Sequence, residues 1–358
     1  GKKALFVYGR NSIKKNGVYE AIVKTLKENK VDFIEHAGVK PNPVLSHARE
    51  GIKTAKKENI EVIIAAGGGS VIDEAKAIAA GAKHGGDAWD FFIGKAGIKD
   101  ALPVVTALTL PATGSEMNSG FVITNEETKQ KYSAGSSKTF PKVSILDPET
   151  TMSLPEEQTA YGAVDALAHI LEGYFTTKDS DCAVTDELVE ALARSIIVSA
   201  DRIIKNPKDY DARASMMWSA TLALNGLPVC GYAGVDFINH AIEHSLSAIY
   251  DIPHGAGLAI VIPAYLKYCF KKGNHIRTAK FAEKVLKISA KNPEQTAQEG
   301  IETLKKWFRQ IGAPISLKDV KIPEADIPQI AENAMGLVRL WGMRYSKKTI
   351  EEILSHAI

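Results

Sequence analysis

Glu61-Val-Ile-Ile-Ala-Ala-Gly67-Gly68-Gly69-Ser70-Val-Ile-Asp73-Glu-Ala-Lys-Ala-Ile-Ala-Ala-Gly-Ala-Lys83 reads as a strand, a glycine turn and a helix placed end to end. Residues 61–66 form an apolar, β-branched run of strand length, and residues 70–83 an alanine-rich helix. Three glycines let the backbone approach a ligand closely, and the helix N-terminus behind them offers free N–H groups to an anion. Ser70 is placed to cap that helix. Asp73, one turn in, is placed either to cap it or to meet a ribose. The run is not a GxGxxG fingerprint, so it does not by itself define a standard dinucleotide motif.

The same alternation extends on both sides. Ala4–Tyr8, Val31–His36, Pro103–Leu110 and Lys142–Leu146 read as further strands, and Val18–Asn29 and Val44–Glu58 as helices between them. Strands alternating with helices imply a parallel, doubly wound sheet. After Leu146-Asp-Pro148 the character changes. Amphipathic, alanine-rich segments follow at 157–175, 180–204, 210–226, 234–249, 256–270 and 275–290. The expected division is an α/β dinucleotide-binding domain over 1–150 and an all-helical metal-binding and catalytic domain over 151–358. A cleft between two such halves is a favoured ligand site.

Composition excludes several classes. The chain has 358 residues, 45% hydrophobic and 24% charged, with a net charge of +2. There is no basic field for nucleic acid and no acidic tail. Cys182, Cys230 and Cys269 are odd in number and widely spaced, which fits neither a disulfide framework nor a CxxC site and suits a reducing cytoplasm. No apolar run is long enough to span a membrane.

Two further loops follow strands. Thr109-Leu-Pro-Ala-Thr113-Gly-Ser115-Glu-Met-Asn118 offers hydroxyl and amide groups to phosphates and ribose, with turn chemistry as the plainer reading. Gly9-Arg10-Asn11-Ser12 follows the first strand, with Lys14 and Lys15 close behind. An acid in the adenosine-ribose position favours NAD, whereas a cation tolerates the 2′-phosphate of NADP. No acid stands in this loop, so NADP(H) is favoured over NAD(H).

The second half carries the metal chemistry. Asp165 and His169 are four residues apart and share a helix face. His240, His244 and His254 supply three of the nine histidines within fifteen residues. A carboxylate with imidazoles suits one divalent ion, Fe, Zn, Co or Ni. Spacing alone does not separate the role of His240 from that of His244. Phe237, Ile249 and Tyr174 are candidates for an apolar substrate pocket, or else for helix core.

Together these segments resemble the iron-containing (group III) alcohol dehydrogenase family, in particular its butanol dehydrogenase and NADPH-dependent aldehyde reductase branch. The resemblance rests on Tyr8-Gly-Arg-Asn-Ser-Ile-Lys-Lys-Asn-Gly-Val-Tyr19, Pro41-Asn-Pro43, Gly67-Gly-Gly-Ser-Val-Ile-Asp73, Leu108-Thr-Leu-Pro-Ala-Thr-Gly-Ser-Glu116, Leu146-Asp-Pro148, Val164-Asp-Ala-Leu-Ala-His169, Leu222-Ala-Leu-Asn-Gly226 and the histidine stretch. It implies a dehydroquinate-synthase-like fold acting on short- to medium-chain primary alcohols and aldehydes such as butanol and butanal. It also implies Asp165, His169, His240 and His254 as metal ligands. Asp165 and His254 would then also be catalytic through the metal, and His244 would lie beside the nicotinamide as a proton relay. Lys129 matches a family lysine near the cofactor phosphates, and Leu146 falls in the cofactor motif. A homodimer is expected. Family members carry a further N-terminal stretch with an early strand, which this sequence does not show. The competing readings are a dehydroquinate-synthase-like or glycerol-dehydrogenase-like enzyme on the same fold, or a non-catalytic dinucleotide-binding sensor. A metal hydrolase lacks both HExxH and GxSxG.

Overall fold

Five short apolar runs become a parallel sheet: β1 (Lys3–Tyr8), β2 (Asp32–Ala37), β3 (Val62–Gly68), β4 (Val104–Leu110) and, after a hairpin of β5 (Gly120–Asn125) and β6 (Gln130–Gly135), β7 (Val143–Leu146). The strand order is β2-β1-β3-β4-β7. The chain leaves β1 toward β2 on one side and returns to β3 on the other, so the order reverses between β1 and β3. Ligands of open α/β sheets gather at such reversals, beyond the C-terminal ends of the strands. Those ends are in register: Tyr8 pairs with Ala37 and with Ala66, and Gly67 with Leu108, before a bulge shifts Gly68 onto Leu110.

The computed structural model describes residues 1–179 and 181–358, which form two units, Gly1–Leu154 and Pro155–Ile358. In the first unit, helix Gly69–Ala82 is buried along nearly its whole length, which explains its alanine and glycine content. Gly68 is its N-cap and Ser70 its second residue, so the expected Ser70 cap is corrected and the first turn lacks a side-chain cap. Helix Leu45–Lys57 crosses it closely: a Cβ on Gly51 would overlap Ile78, and one on Gly81 would overlap Ile52. The antiparallel pair β5–β6 was not expected. Each strand is six residues long, with polar residues interspersed.

The second unit is helical throughout. Glu156–Thr176, Ala183–Lys205, Tyr210–Ala223, Ile238–Tyr250, His254–Lys271 and Ile276–Lys284 answer the six segments read from the sequence, and Pro293–Gln310, Ile327–Leu340 and Lys347–Ser355 follow. Position 180, the expected start of the second helix, lies outside the described residues. Helices Glu156–Thr176, Ile238–Tyr250 and His254–Lys271 are buried on every face over most of their length. Their polar residues therefore stand in core, where each must find a partner. No helix among the described residues is long and apolar enough to cross a membrane.

The reciprocal Gly51–Ile78 and Gly81–Ile52 contacts make a simple test of this packing. Gly51→Val should cost about 1–3 kcal/mol through overpacking, lowering the melting temperature by roughly 3–10 °C. Calorimetry on the purified variant measures it; an unchanged melting temperature would contradict the close crossing.

Candidate metal and cofactor sites

Three buried helices bring four ligand candidates around one carboxylate oxygen. Asp165 and His169 come from helix Glu156–Thr176, His240 from Ile238–Tyr250, and His254 is the first residue of the helix that Pro253 opens. Asp165 Oδ1 lies 3.4 Å from His254 Nε2, 3.7 Å from His169 Nε2 and 3.9 Å from His240 Nε2. Asp165, His240 and His254 bring ligand atoms within 4.8 Å of one another. The His169 ring stacks on His240 with centroids 4.7 Å apart.

These separations are too long for hydrogen bonds and close to those of ligands around an ion. Donors about 2.1 Å from a tetrahedral cation stand roughly 3.4 Å apart. His240 Nε2 is buried without a hydrogen-bond partner, an arrangement that a cation would satisfy. Burial holds His169 well below the usual imidazole range, and the neighbouring His240 and His254 push it further. It is therefore neutral, the form that binds metal.

Two fully buried carboxylates orient the imidazoles, and the sequence reading did not assign them this role. Glu172 Oε1 accepts from His240 Nδ1 at 2.8 Å and from the His240 backbone N–H at 2.7 Å; its Oε2 accepts from Asn239 Nδ2 at 2.8 Å. His240 thus donates from Nδ1 and turns its Nε2 lone pair inward. Glu243 does the same for His254 through Nδ1, and Ser247 donates to Glu243. Gly257 leaves room for Glu243, because a Cβ there would press on its side chain. The available signal was an acid in an otherwise apolar helix run, three residues after each of His169 and His240.

His244 lies beside this group, its ring 5.4 Å from His254 and 5.9 Å from Trp341, a neighbour the sequence reading missed. Phe237 stands 5.5 Å from the His240 ring, and Ile249 is half-buried. Tyr174 is core: it is fully buried and donates to Glu190, so it is removed from the pocket candidates.

In the first unit the glycine turn and the threonine loop abut. A Cβ on Gly69 would overlap Thr113, and one on Gly67 would overlap Val71. Behind them is a buried brace. Asp73 accepts from Ser115 Oγ at 2.7 Å and from the Val122 N–H at 3.0 Å, so both its oxygens serve the loop rather than a ribose. The Lys76 ammonium lies within hydrogen-bond reach of Ser115 O and Oγ, Asn118 O and Gly120 O, at 2.6–2.8 Å. Burial pushes Asp73 up to about 6 and Lys76 down to about 8, each opposed by the other's charge. Asn118 donates to Gly114 O and accepts from the Gly120 N–H. Asp73, Ser115 and Asn118 therefore shape the loop, while Gly67, Gly68, Gly69, Ser70 and Thr113 form its meeting edge with the helix N-terminus. Thr109 is buried in β4, and Leu146 ends β7 opposite Leu108. Gly9 is half-buried after β1, with Arg10, Asn11 and Ser12 exposed. Lys129 is exposed in the β5–β6 turn with φ 54°.

Comparison with known proteins is consistent along the whole chain. Residues 1–148 match the model for iron-containing alcohol dehydrogenase, and residues 159–358 that for the C-terminal region of the Fe-containing alcohol dehydrogenase family. The chain is 44% identical to a probable NADH-dependent butanol dehydrogenase of Bacillus subtilis, covering 94% of this chain and 86% of that one. It is 35% identical to an NADPH-dependent aldehyde reductase of Escherichia coli, covering 92% and 84%. Among solved structures, an NADH-dependent butanol dehydrogenase of Thermotoga maritima superposes with a TM-score of 0.96 at 49% identity, covering 99% of this chain and 91% of that one.

The Glu172 arrangement generates a direct test. Glu172→Gln keeps the shape but weakens acceptance from His240, and loss of such a supporting carboxylate typically costs about 10–100-fold in metal affinity. Competition titration with a chelator measures it; unchanged affinity would show that Glu172 does not orient the ligand.

Proposed function

Since the chain belongs to the iron-containing alcohol dehydrogenase family, and is a metal-dependent NAD(P)(H) oxidoreductase of alcohol dehydrogenase and aldehyde reductase type, we propose that it interconverts short- to medium-chain primary alcohols and aldehydes, butanol and butanal among them. The observation that carries this reading is the set of imidazole nitrogens 3.4–3.9 Å from the buried Asp165 oxygen, with Glu172 and Glu243 behind two of the rings. Asp165, His169, His240 and His254 would hold the ion.

A divalent ion held there would supply a Lewis acid for the substrate oxygen, and a bound nicotinamide would supply or accept the hydride. The residues do the rest. Asp165 places a carboxylate among the three imidazole rings. Glu172 and Glu243 fix His240 and His254 as inward-facing Nε2 donors. His244, adjacent to His254, takes or returns the proton of the substrate hydroxyl as a general acid–base. Trp341 and Phe237 offer apolar surface beside His244 and His240 for a short aliphatic chain. The glycine turn, with its uncapped helix N-terminus, would receive the cofactor phosphates. Lys129 and Leu146 would contact the cofactor.

For the cofactor we favour NADP(H), on exposed Arg10 and Lys15 and the absence of an acid in their loop. Lys14 is engaged over the Tyr8 and Tyr19 rings, at 5.4 and 4.8 Å. The relatives named for NADH weigh toward the other cofactor, so the ratio of rates decides. A cytoplasmic homodimer completes the proposal.

His254→Ala should lose metal and butanal reduction together. His244→Ala should keep its metal and lose on the order of 100-fold in kcat. Metal analysis and initial rates with NADPH and NADH separately measure both. A full metal complement in His254→Ala would remove that residue from the ligand set, and faster turnover with NADH would overturn the cofactor preference.

A further inference from the structure

The α/β unit holds a second cluster of titratable groups that the proposed reaction does not use. Glu74, on helix Gly69–Ala82, is fully buried. Its Oε1 lies 3.0 Å from His36 Nε2, at the end of β2, and 2.6 Å from His47 Nδ1, on helix Leu45–Lys57. The two imidazoles stack with centroids 4.2 Å apart. The other nitrogen of His47 lies 3.2 Å from the Ala37 carbonyl. Glu74 Oε2 is buried without a hydrogen-bond partner, so the pairing converges on one oxygen.

Two imidazoles and a carboxylate could hold a metal, but the spacing points elsewhere. At 2.6 and 3.0 Å these are hydrogen-bond distances, shorter than the 3.4–3.9 Å around Asp165. Protons bridge them. A backbone carbonyl only accepts, so His47 Nε2 carries a proton. A second proton must lie between His47 Nδ1 and Glu74 Oε1. Whether it rests on nitrogen or oxygen, the pair holds one proton more than a neutral imidazole beside a carboxylate.

The hydrogen bond to Glu74 raises His47 above the usual imidazole range, against the opposing effect of burial. Burial alone would raise Glu74, but its bonds to His36 and His47 outweigh this and lower it. Glu50, one turn along, adds to the upward shift of His47. Arg49 pairs with Asp87, and Glu126 of the hairpin turn takes Ser46. Asp73 and Lys76 face the 113–122 segment.

The location gives the cluster a task. Ala37 ends β2, and the next N–H, that of Gly38, donates to Tyr8 O at 3.1 Å and Gly9 O at 2.9 Å. The carbonyl held by His47 therefore adjoins the link between the β2 turn and the Gly9–Arg10 loop, while Glu74 anchors the helix that follows the glycine turn. We propose that the His36–Glu74–His47 triad positions the dinucleotide-binding ends of β1 and β2 against the glycine-turn helix, and that loss of its shared proton weakens cofactor binding as pH rises. The inference rests on the cofactor reading above. A group raised in the folded protein contributes fully below its unfolded value of about 6.5, and the contribution is lost as pH climbs through the raised value.

The test is fluorescence titration of the metal-loaded protein with NADH from pH 6 to 10; the NADH pyrophosphate keeps its charge throughout. The dissociation constant should rise at least threefold above pH 6.5 in a step distinct from that of the buried Lys76, which is pushed down to about 8. His47→Gln and Glu74→Gln should bind more weakly with that step abolished, and the loss should fall on KM rather than kcat. A pH-independent constant in the unaltered protein, or the same step in His47→Gln, overturns the triad's role and leaves the cofactor reading standing. Absence of NADH and NADPH binding overturns both. Should the variants fail to fold, nitrogen-15 histidine NMR of the unaltered protein decides: protonation at both His47 ring nitrogens near neutral pH is expected, and an unprotonated ring nitrogen with no hydrogen bond overturns the triad. A second metal equivalent lost in His36→Gln would also overturn it.

Discussion

Burying ionisable side chains in a helical core is the constraint on which the second unit depends. Asp165, His169, Glu172, His240, Glu243 and His244 all stand at 4% exposure or less, on helices buried over most of their length and largely apolar. An unpaired charge or polar ring in such surroundings costs several kcal/mol. The chain meets part of that cost internally: Glu172 and Glu243 each accept from an imidazole, and Asn239 and Ser247 fill further positions on the carboxylates. A divalent cation would meet the rest, offsetting carboxylate charge and taking up the inward-facing nitrogens.

The α/β unit solves a different problem with related means. Its glycine turn must leave a helix N-terminus open, so the polar groups that rigidify it lie behind the turn. Asp73 and Lys76 hold the 113–122 segment from below, while Glu74, between them in sequence, faces the other way toward His36 and His47. Asp73, Glu74 and Lys76, within about one turn of one helix, thus brace two loops. The glycines serve this packing as well as any ligand, because Gly67 and Gly69 give space to Val71 and Thr113.

Legibility in the sequence followed the range of the interaction. The parallel strands were readable because each is a continuous apolar run, and Asp165 with His169 because four residues make one helical turn. The β5–β6 hairpin was not, since its short strands mix polar and apolar residues and its order comes from pairing. Ser70 was misplaced as a cap because the N-cap is Gly68, where no side chain announces it. The partners of Asp73 were not readable, because Ser115 and Val122 are distant in sequence. Glu172 lies 68 residues from His240, and no local pattern links them. The expected fold, a doubly wound α/β region followed by helices, was carried by periodicity; which imidazole each buried carboxylate orients is set by the packing of the helices.

The central claim is that a single divalent ion on the helical unit makes this chain a dehydrogenase. The most direct measurement is butanal-dependent oxidation of NADPH or NADH as metal-free protein is titrated with Fe(II), Zn(II), Co(II) or Ni(II). The account expects no turnover without metal and a rate that rises with at least one of these ions to a plateau at one equivalent. Equal turnover in the metal-free protein, or a folded, cofactor-binding protein that stays inactive with every ion, would contradict it.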